Sequence, residues 1–219
     1  MEKVFVVGGT GRVGTQLVAQ LLSNKNFDVT IGLRNNSNQV NSSLSEHHAR
    51  LHYKFFDLLS VQSTISKQIT GFDYVYFVAG SRGQQLIQVE IYGVLKLIAA
   101  ASENDIKRLI VLSSIFSLEP DHWQDETLKD IPDYNVAKFV ADYWLVHNAN
   151  VPYTIIQPSH LIETPAKGTI QVNVTEDGEN AIGDVAETLY QVLFLPNTIN
   201  KVIKMHSGST PIDQALKEI

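Results

Sequence analysis

Cysteine is absent from this 219-residue chain, which excludes disulfides and thiolate metal ligands and fits a reducing, cytoplasmic setting. Positive charge is scarce as well. Seventeen Lys and Arg against 23 Asp and Glu leave a net charge of −6, and no basic block suggests a nucleic-acid face. No apolar run approaches the ~18 residues of a membrane span, and no signal peptide is expected, because an apolar strand follows Met1 almost at once. Internal repeats and low-complexity tracts are missing too. What remains has the length of one α/β domain, 1–219, able to bury a core without a disulfide or metal staple. The partners expected are a small-molecule substrate, no nucleic acid and no membrane, with the chain a monomer or homodimer.

The most informative segment is Val4-Phe5-Val6-Val7-Gly8-Gly9-Thr10-Gly11-Arg12-Val13-Gly14. An apolar, β-branched run stops at a glycine cluster, and an apolar helical pattern (Val13, Leu17, Val18, Leu21, Leu22) follows. Gly9, Gly11 and Gly14 satisfy G-x-G-x-x-G, and Gly8, Gly11 and Gly14 satisfy G-x-x-G-x-x-G. A plain strand-to-helix turn can show such a trio. The strand before it and the helix after it make it a dinucleotide-binding fingerprint, with glycines that permit positive φ and close approach to a pyrophosphate. The helix N-terminus offers unpaired N–H groups and partial positive charge to the phosphates.

Strand-like and helix-like segments alternate through the rest, which predicts a doubly wound parallel sheet flanked by helices. Strands are expected at 3–7, 28–33, 51–55, 74–78, 108–112 and 153–157, with a late pair at 169–174 and 202–206. Helices are expected at 12–22, 61–68, 85–102, 134–147, 182–195 and 212–217, the last opened by Thr210 as N-cap and Pro211 in the first turn. Residues 35–45 form a polar loop, and 116–132 a long connection of the kind that often carries function. From about residue 158 the register breaks, and this short C-terminal portion is expected to wall a substrate pocket.

At the end of the second strand, where an NAD site usually places an acid for the ribose 2′-hydroxyl, the chain reads Gly32-Leu33-Arg34-Asn35. A guanidinium there pairs with a 2′-phosphate, and Arg12 adds a second charge, so NADP(H) is the expected cofactor. Asp57 either accepts a hydrogen bond from the adenine amino group or caps a helix.

The fifth strand ends in Ser113-Ser114, and Tyr134-Asn135-Val136-Ala137-Lys138 opens a helix soon after Pro132. A tyrosine and a lysine four apart share a helix face. Carbonyl reduction needs such a pair: a phenol as proton donor, and an ammonium that stabilises the phenolate and holds the nicotinamide ribose. A serine hydroxyl, Ser114 or its neighbour Ser113, polarises the carbonyl.

Here the chain resembles the short-chain dehydrogenase/reductase superfamily. It is most similar to the compact atypical NAD(P)H-binding members, which include flavin and biliverdin reductases and NmrA-like proteins. The matching pieces are residues 8–14, Arg34-Asn35, Phe56-Asp57-Leu58, Val78-Ala79-Gly80, residues 90–93 and 97–101, Ser113-Ser114, residues 134–138 and 153–158, Gly183-Asp184-Val185-Ala186 and residues 208–216. The resemblance implies a Rossmann fold, with Ser114, Tyr134 and Lys138 as reductase triad, Tyr134 the proton donor, and no metal. The cofactor contacts it implies are Gly8, Thr10, Gly11, Arg12, Val13, Gly14, Arg34, Asp57, Leu58, Ala79, Gly80, Ser113, Lys138 and Pro158. Two departures stand out: Glu90 replaces the asparagine many relatives carry, and Gln157-Pro158-Ser159-His160 replaces Arg-Pro-Gly. His160 is a substrate contact or a surface residue; His122 and Trp123 form a pocket lid or pack.

The function expected is an NADPH-dependent oxidoreductase acting on a small carbonyl, quinone or similar acceptor. The alternative is an NADP(H)-binding redox sensor that regulates a partner without turnover. A sugar-nucleotide epimerase or dehydratase is a third reading, but the roughly sixty residues after Pro158 leave little room for a nucleotide-sugar domain.

Overall fold

In the computed structural model, residues 1–34, 49–81 and 83–219 are described; the polar loop expected over 35–45, Asn35 included, falls outside them. The chain runs β1 (Glu2–Val7), α1 (Arg12–Ser23), β2 (Phe27–Leu33), β3 (Leu51–Phe55), α2 (Gln62–Ile69), β4 (Tyr74–Phe77), a π-helical segment (Leu86–Ile91), α3 (Tyr92–Glu103) and β5 (Arg108–Leu112). It continues through α4 (Pro132–Asn148), β6 (Tyr153–Pro158), β7 (His160–Ile162), β8 (Thr169–Val172), β9 (Glu179–Ala181), α5 (Ile182–Gln191), β10 (Lys201–Ser207), β11 (Thr210–Pro211) and α6 (Ile212–Ala215).

The main sheet has the order β11-β8-β10-β6-β5-β4-β1-β2-β3. From β3 to β10 every neighbouring pair is parallel; β8 joins β10, and β11 joins β8, antiparallel. In β1 the side chains alternate between the two faces. Val4 and Val6 pack with α1 and α5 residues such as Leu17, Leu21 and Leu189, whereas Phe5 and Val7 pack with Ile65, Leu97 and Leu145 from α2, α3 and α4. Both faces are covered, which is why the strand reads as a continuous apolar run instead of an alternating one. Each of these side chains contributes about 1.5–3 kcal/mol by leaving water.

The register aligns the strand ends. Val7 pairs with both Gly32 and Phe77, Phe77 with Val111, and Leu112 with Ile156. The residues following these strands therefore emerge at one edge of the sheet. Strand order reverses between β1 and β4, and in open parallel sheets ligands bind at that switch point.

Two local expectations are corrected, and a small second sheet is added. The helix expected over 85–102 divides: its first turns are π-helical, with the Tyr92 N–H reaching back to the carbonyls of Gln88 and Ile87, and the α-helix starts at Tyr92. Thr210 is not the N-cap of the last helix: Thr210 and Pro211 form a two-residue strand paired with Ile170 and Thr169, and Pro211 itself takes the N-cap position before Ile212. The segments His160–Ile162 and Glu179–Ala181 pair in parallel as a separate small sheet, too short to carry an alternation signal.

Candidate active site

The turn after β1 and the segment after β4 meet at the switch point. Gly8 has φ +92°, and a Cβ there would lie 2.5 Å from the Ala79 backbone nitrogen, so both conformation and close approach demand glycine. Among the fingerprint glycines it alone has positive φ. At Gly14 a Cβ would strike the Gly8 carbonyl and sit 2.8 Å from Gly9 Cα, so α1 can start flush against the turn only without a side chain. Gly11 is different. A Cβ there meets nothing but the Gly8 carbonyl oxygen at 3.3 Å, and the rest of its surroundings is open cavity. Helix α1 has no side-chain cap, which leaves its first-turn N–H groups free for a ligand. Open space at Gly11 and uncapped N–H groups at the start of α1 fit a dinucleotide pyrophosphate.

From this cradle a cavity of about 560 Å³ extends to the ends of β5 and β6. Gly11, Arg12, Val13, Ala79, Gly80, Ser113, Ser114, Tyr134, Lys138 and Pro158 all line it, so most of the expected site comes together in one space. Gly8 and Gly14 shape the turn from behind. Thr10 and Arg34 are exposed outside the cavity, Arg34 at the end of β2. Asp57 is not a helix cap: α2 follows Val61, and the Asp57 carboxylate instead accepts the Leu59 N–H at 2.9 Å. Lys96, buried in α3, tethers this segment by donating to the Leu58 and Ser60 carbonyls at 2.6 and 2.7 Å.

The polar floor of the cavity belongs to α4. Tyr134, Lys138 and Asp142 follow at four-residue steps along one face. Lys138 Nζ lies 5.4 Å from the Tyr134 ring centre and 3.1 Å from Glu90 Oε2, an ion pair without good hydrogen-bond alignment. Glu90 comes from the π-helical segment, whose wider turn buries Val89 and Glu90 while Ile87 and Gln88 stay exposed. Such π turns recur at functional sites. The second Glu90 oxygen accepts the Ser81 N–H, just beyond the loop that lines the cavity. Lys138 and Glu90 are both buried, their side chains 5% and 0% exposed.

Burial would strip the charge from either partner; each prevents that in the other. Desolvation works against the Lys138 ammonium, but Tyr134, Glu90 and Asp142 outweigh it and hold its pKa above the ordinary lysine value. Desolvation likewise works to raise the Glu90 carboxyl, yet Lys138 and the Ser81 N–H hold it below the usual glutamate value. Asp142 goes the other way. Burial pushes its carboxyl up, despite the hydroxyls of Ser113 and Ser117, each donating at 2.5 Å, the nearby Lys138 charge and the Gln157 amide.

This network separates the two serines. The Ser113 hydroxyl is committed to Asp142 beneath the site, whereas the half-buried Ser114 hydroxyl lines the cavity with no side-chain hydrogen bond among the described residues. Asn135, also buried, donates to the Leu128 carbonyl at 2.7 Å and fixes the start of α4 to the long loop. Glu90, Asp142 and Asn135 were not expected as site residues. The signal for Asp142 was its spacing from Lys138; for Glu90 it was the replaced asparagine.

His122 and Trp123 do not form the lid. His122 stacks on Phe116 with ring centres 4.0 Å apart, and Trp123 donates to the Phe116 carbonyl at 3.0 Å, so both anchor the loop. Thr127, Leu128 and Ile131 from that loop face the cavity instead, together with His160. Arg12 forms an ion pair at 3.2 Å with Glu163, both side chains largely exposed. Among the described residues no helix is long and apolar enough to cross a membrane, and no cluster of acids and histidines could hold a metal.

A doubly wound sheet with a glycine turn at its switch point and a Tyr/Lys helix beside it defines an NAD(P)-binding Rossmann protein. The chain belongs to the NAD(P)H-binding family, whose model matches residues 8–196. It is 31% identical over 222 residues to the uncharacterized sugar epimerase YhfK of Bacillus subtilis, covering 99% of this chain and all of the relative. The crystal structure of the oxidoreductase ylbE from Lactococcus lactis matches with a TM-score of 0.90 at 37% identity, over 99% of this chain and 96% of that one. A short-chain dehydrogenase/reductase from Veillonella parvula, solved in complex with NADP, shares the fold with a TM-score of 0.78 at 17% identity, over 97% of each chain.

Proposed function

We propose that the protein is an NADPH-dependent reductase of a small carbonyl, quinone or similar acceptor, with the whole chain acting as one unit and the residues from about 158 forming the substrate side. The observation that carries this reading is that Tyr134, Lys138 and Ser114 line the same cavity as the glycine turn. NADPH, when bound, supplies a hydride from its nicotinamide C4. Ser114 Oγ–H donates to the substrate oxygen and polarises the carbonyl. The Tyr134 hydroxyl gives that oxygen its proton, and the Lys138 ammonium stabilises the phenolate left behind. Lys138 would also hold the ribose hydroxyls of the bound cofactor. Glu90, by pairing with Lys138, keeps the ammonium charged inside a buried site.

Arg34 and Arg12 support NADPH over NADH. The Arg12–Glu163 pair is exposed and worth about 0–1 kcal/mol, whereas a charge-assisted contact to phosphate is worth about 1.5–3, so the phosphate wins the guanidinium. The NADP held by the Veillonella neighbour agrees with this preference. The test is NADPH oxidation followed by absorbance against aldehydes, ketones, quinones and flavins. Turnover with one of these classes is expected. Tight NADPH binding with no turnover on any of them replaces the reductase with a redox sensor.

A further inference from the structure

We infer that the substrate end of the cavity takes an apolar acceptor of neutral or positive charge and rejects phosphorylated or carboxylated ones, nucleotide-sugars included. The inference rests on the reductase reading for which end of the cavity receives substrate. Beyond Ser114 and Tyr134 the apolar walls are Ile115, Leu128, Ile131 and Leu161, beside Thr127, Ser159 and His160, and the apolar surfaces desolvate whatever enters. An anion brought there needs a cation to replace its water. Among the described lining residues the Lys and Arg side chains are Arg12 and Lys138; the proposed function gives Arg12 to the cofactor phosphate, and Lys138 is buried against Glu90. In the proposed function Lys138 would in addition hold the cofactor's ribose.

Among the described lining residues, the acid at the substrate end is Asp177. It accepts the Thr127 hydroxyl, joining the long loop to the loop before β9. The two joined segments are strongly acidic. Residues 119–133 hold six Asp and Glu against one Lys, and 176–179 hold three more acids and no base. Lys204 neutralises Glu119, and His122 faces Asp125. A rim of one sign over low-dielectric walls focuses its field on the ligand, repelling an anion and drawing in a cation.

Three para-substituted benzaldehydes matched in size test this directly: one bearing a trimethylammonium group, one a neutral nitro group, one a carboxylate. With NADPH at low ionic strength, kcat/KM is expected to be at least about tenfold higher for the neutral and cationic aldehydes than for the carboxylate. At about 0.5 M salt, where the screening length falls to a few ångströms, the gap should narrow. Asp177→Asn retains an acceptor for Thr127 and should shrink the gap severalfold. Carboxylate turnover equal to the neutral compound, or a gap indifferent to Asp177→Asn, overturns the inference. If none of the three is reduced, the reductase reading suffers, and the charge rule is read from binding instead. On the NADP⁺-loaded protein, benzamide and benzyltrimethylammonium should then bind more tightly than benzoate. Equal or tighter benzoate binding overturns the inference even in that case.

Discussion

The two ends of the cavity are built by different means. At the cofactor end the backbone does the work: Gly8 turns with positive φ against Ala79, Gly14 lets α1 meet the turn, and Gly11 leaves space. At the chemical end, side chains far apart in sequence do it. Glu90 meets Lys138 across 48 positions, and Ser113 meets Asp142 across 29. A backbone cradle tolerates no added atoms at its contact points, and its energetic weight is steric. A buried polar floor tolerates shape changes but no loss of a partner, since a buried charge left alone costs more than the pair contributes. Substitutions at the two ends should therefore fail in different ways.

The largest contrast lies within the glycine turn. Gly14→Val drives a side chain into the Gly8 carbonyl and should cost more than about 3 kcal/mol of stability, enough to prevent folding in a marginally stable domain. Gly11→Val, three residues earlier, should fold and show a near-wild-type Tm yet bind no cofactor, because its side chain occupies the open space. Thermal melts and calorimetric titration of NADPH read both outcomes. Unchanged NADPH affinity in folded Gly11→Val breaks the comparison at its cofactor end.

Next comes Glu90→Gln, which leaves Lys138 buried beside an amide. A loss of about 3–5 kcal/mol is expected from denaturant melts, because one partner of a buried pair has been removed. The sign of the pH effect follows from the raised Lys138 pKa. Its ammonium contributes stability below the ordinary lysine range, and that contribution is lost as pH rises through the raised folded value. Without Glu90 that folded value falls, so the alkaline limb of kcat/KM should move to lower pH. An unmoved alkaline limb in a folded variant removes Glu90 from the account. On the acid side, Glu90 itself has a lowered pKa, so its contribution is present above the ordinary glutamate range and disappears as pH drops through the folded value.

The smallest effect is expected at the edge of the sheet. Arg34→Ala should weaken NADPH binding about 10- to 100-fold and leave NADH binding nearly unchanged, the scale of one charge-assisted phosphate contact. Equal affinity of the wild type for the two cofactors removes the premise.

The same contrast explains what was legible in the sequence. The turn from Gly8 to Gly14 could be read because its determinants are contiguous: Gly8 and Gly14 answer backbone requirements, and Gly11 leaves space for a ligand. The parallel, doubly wound sheet followed from the alternation of apolar runs with helical patterns, and the Tyr134/Lys138 pair from a four-residue step. The polar floor was less legible. Glu90 stood out only as a substitution, since its partner lies on another helix and a π turn aims it inward. Asp142 carried a periodicity signal, but its three hydrogen-bonding partners come from the β5 exit and β6. The short strands His160–Ile162, Glu179–Ala181 and Thr210–Pro211 are fixed by pairing partners, not by their own composition. His122 and Trp123 show the limit of reading exposed aromatics in a loop: the same residues suit a lid or an anchor, and only Phe116 decides between them.

The central claim is that the Tyr134 phenol delivers a proton to the substrate in the cavity that the glycine turn opens. Stopped-flow oxidation of bound NADPH in wild type and Tyr134→Phe, on an acceptor the wild type reduces, tests it most directly. The substitution removes one hydroxyl from a half-buried ring, so fold and NADPH affinity should stay as they are. The account predicts that the oxidation rate falls by about 10²–10⁴, the worth of a positioned general acid. Wild-type rates in Tyr134→Phe would contradict it.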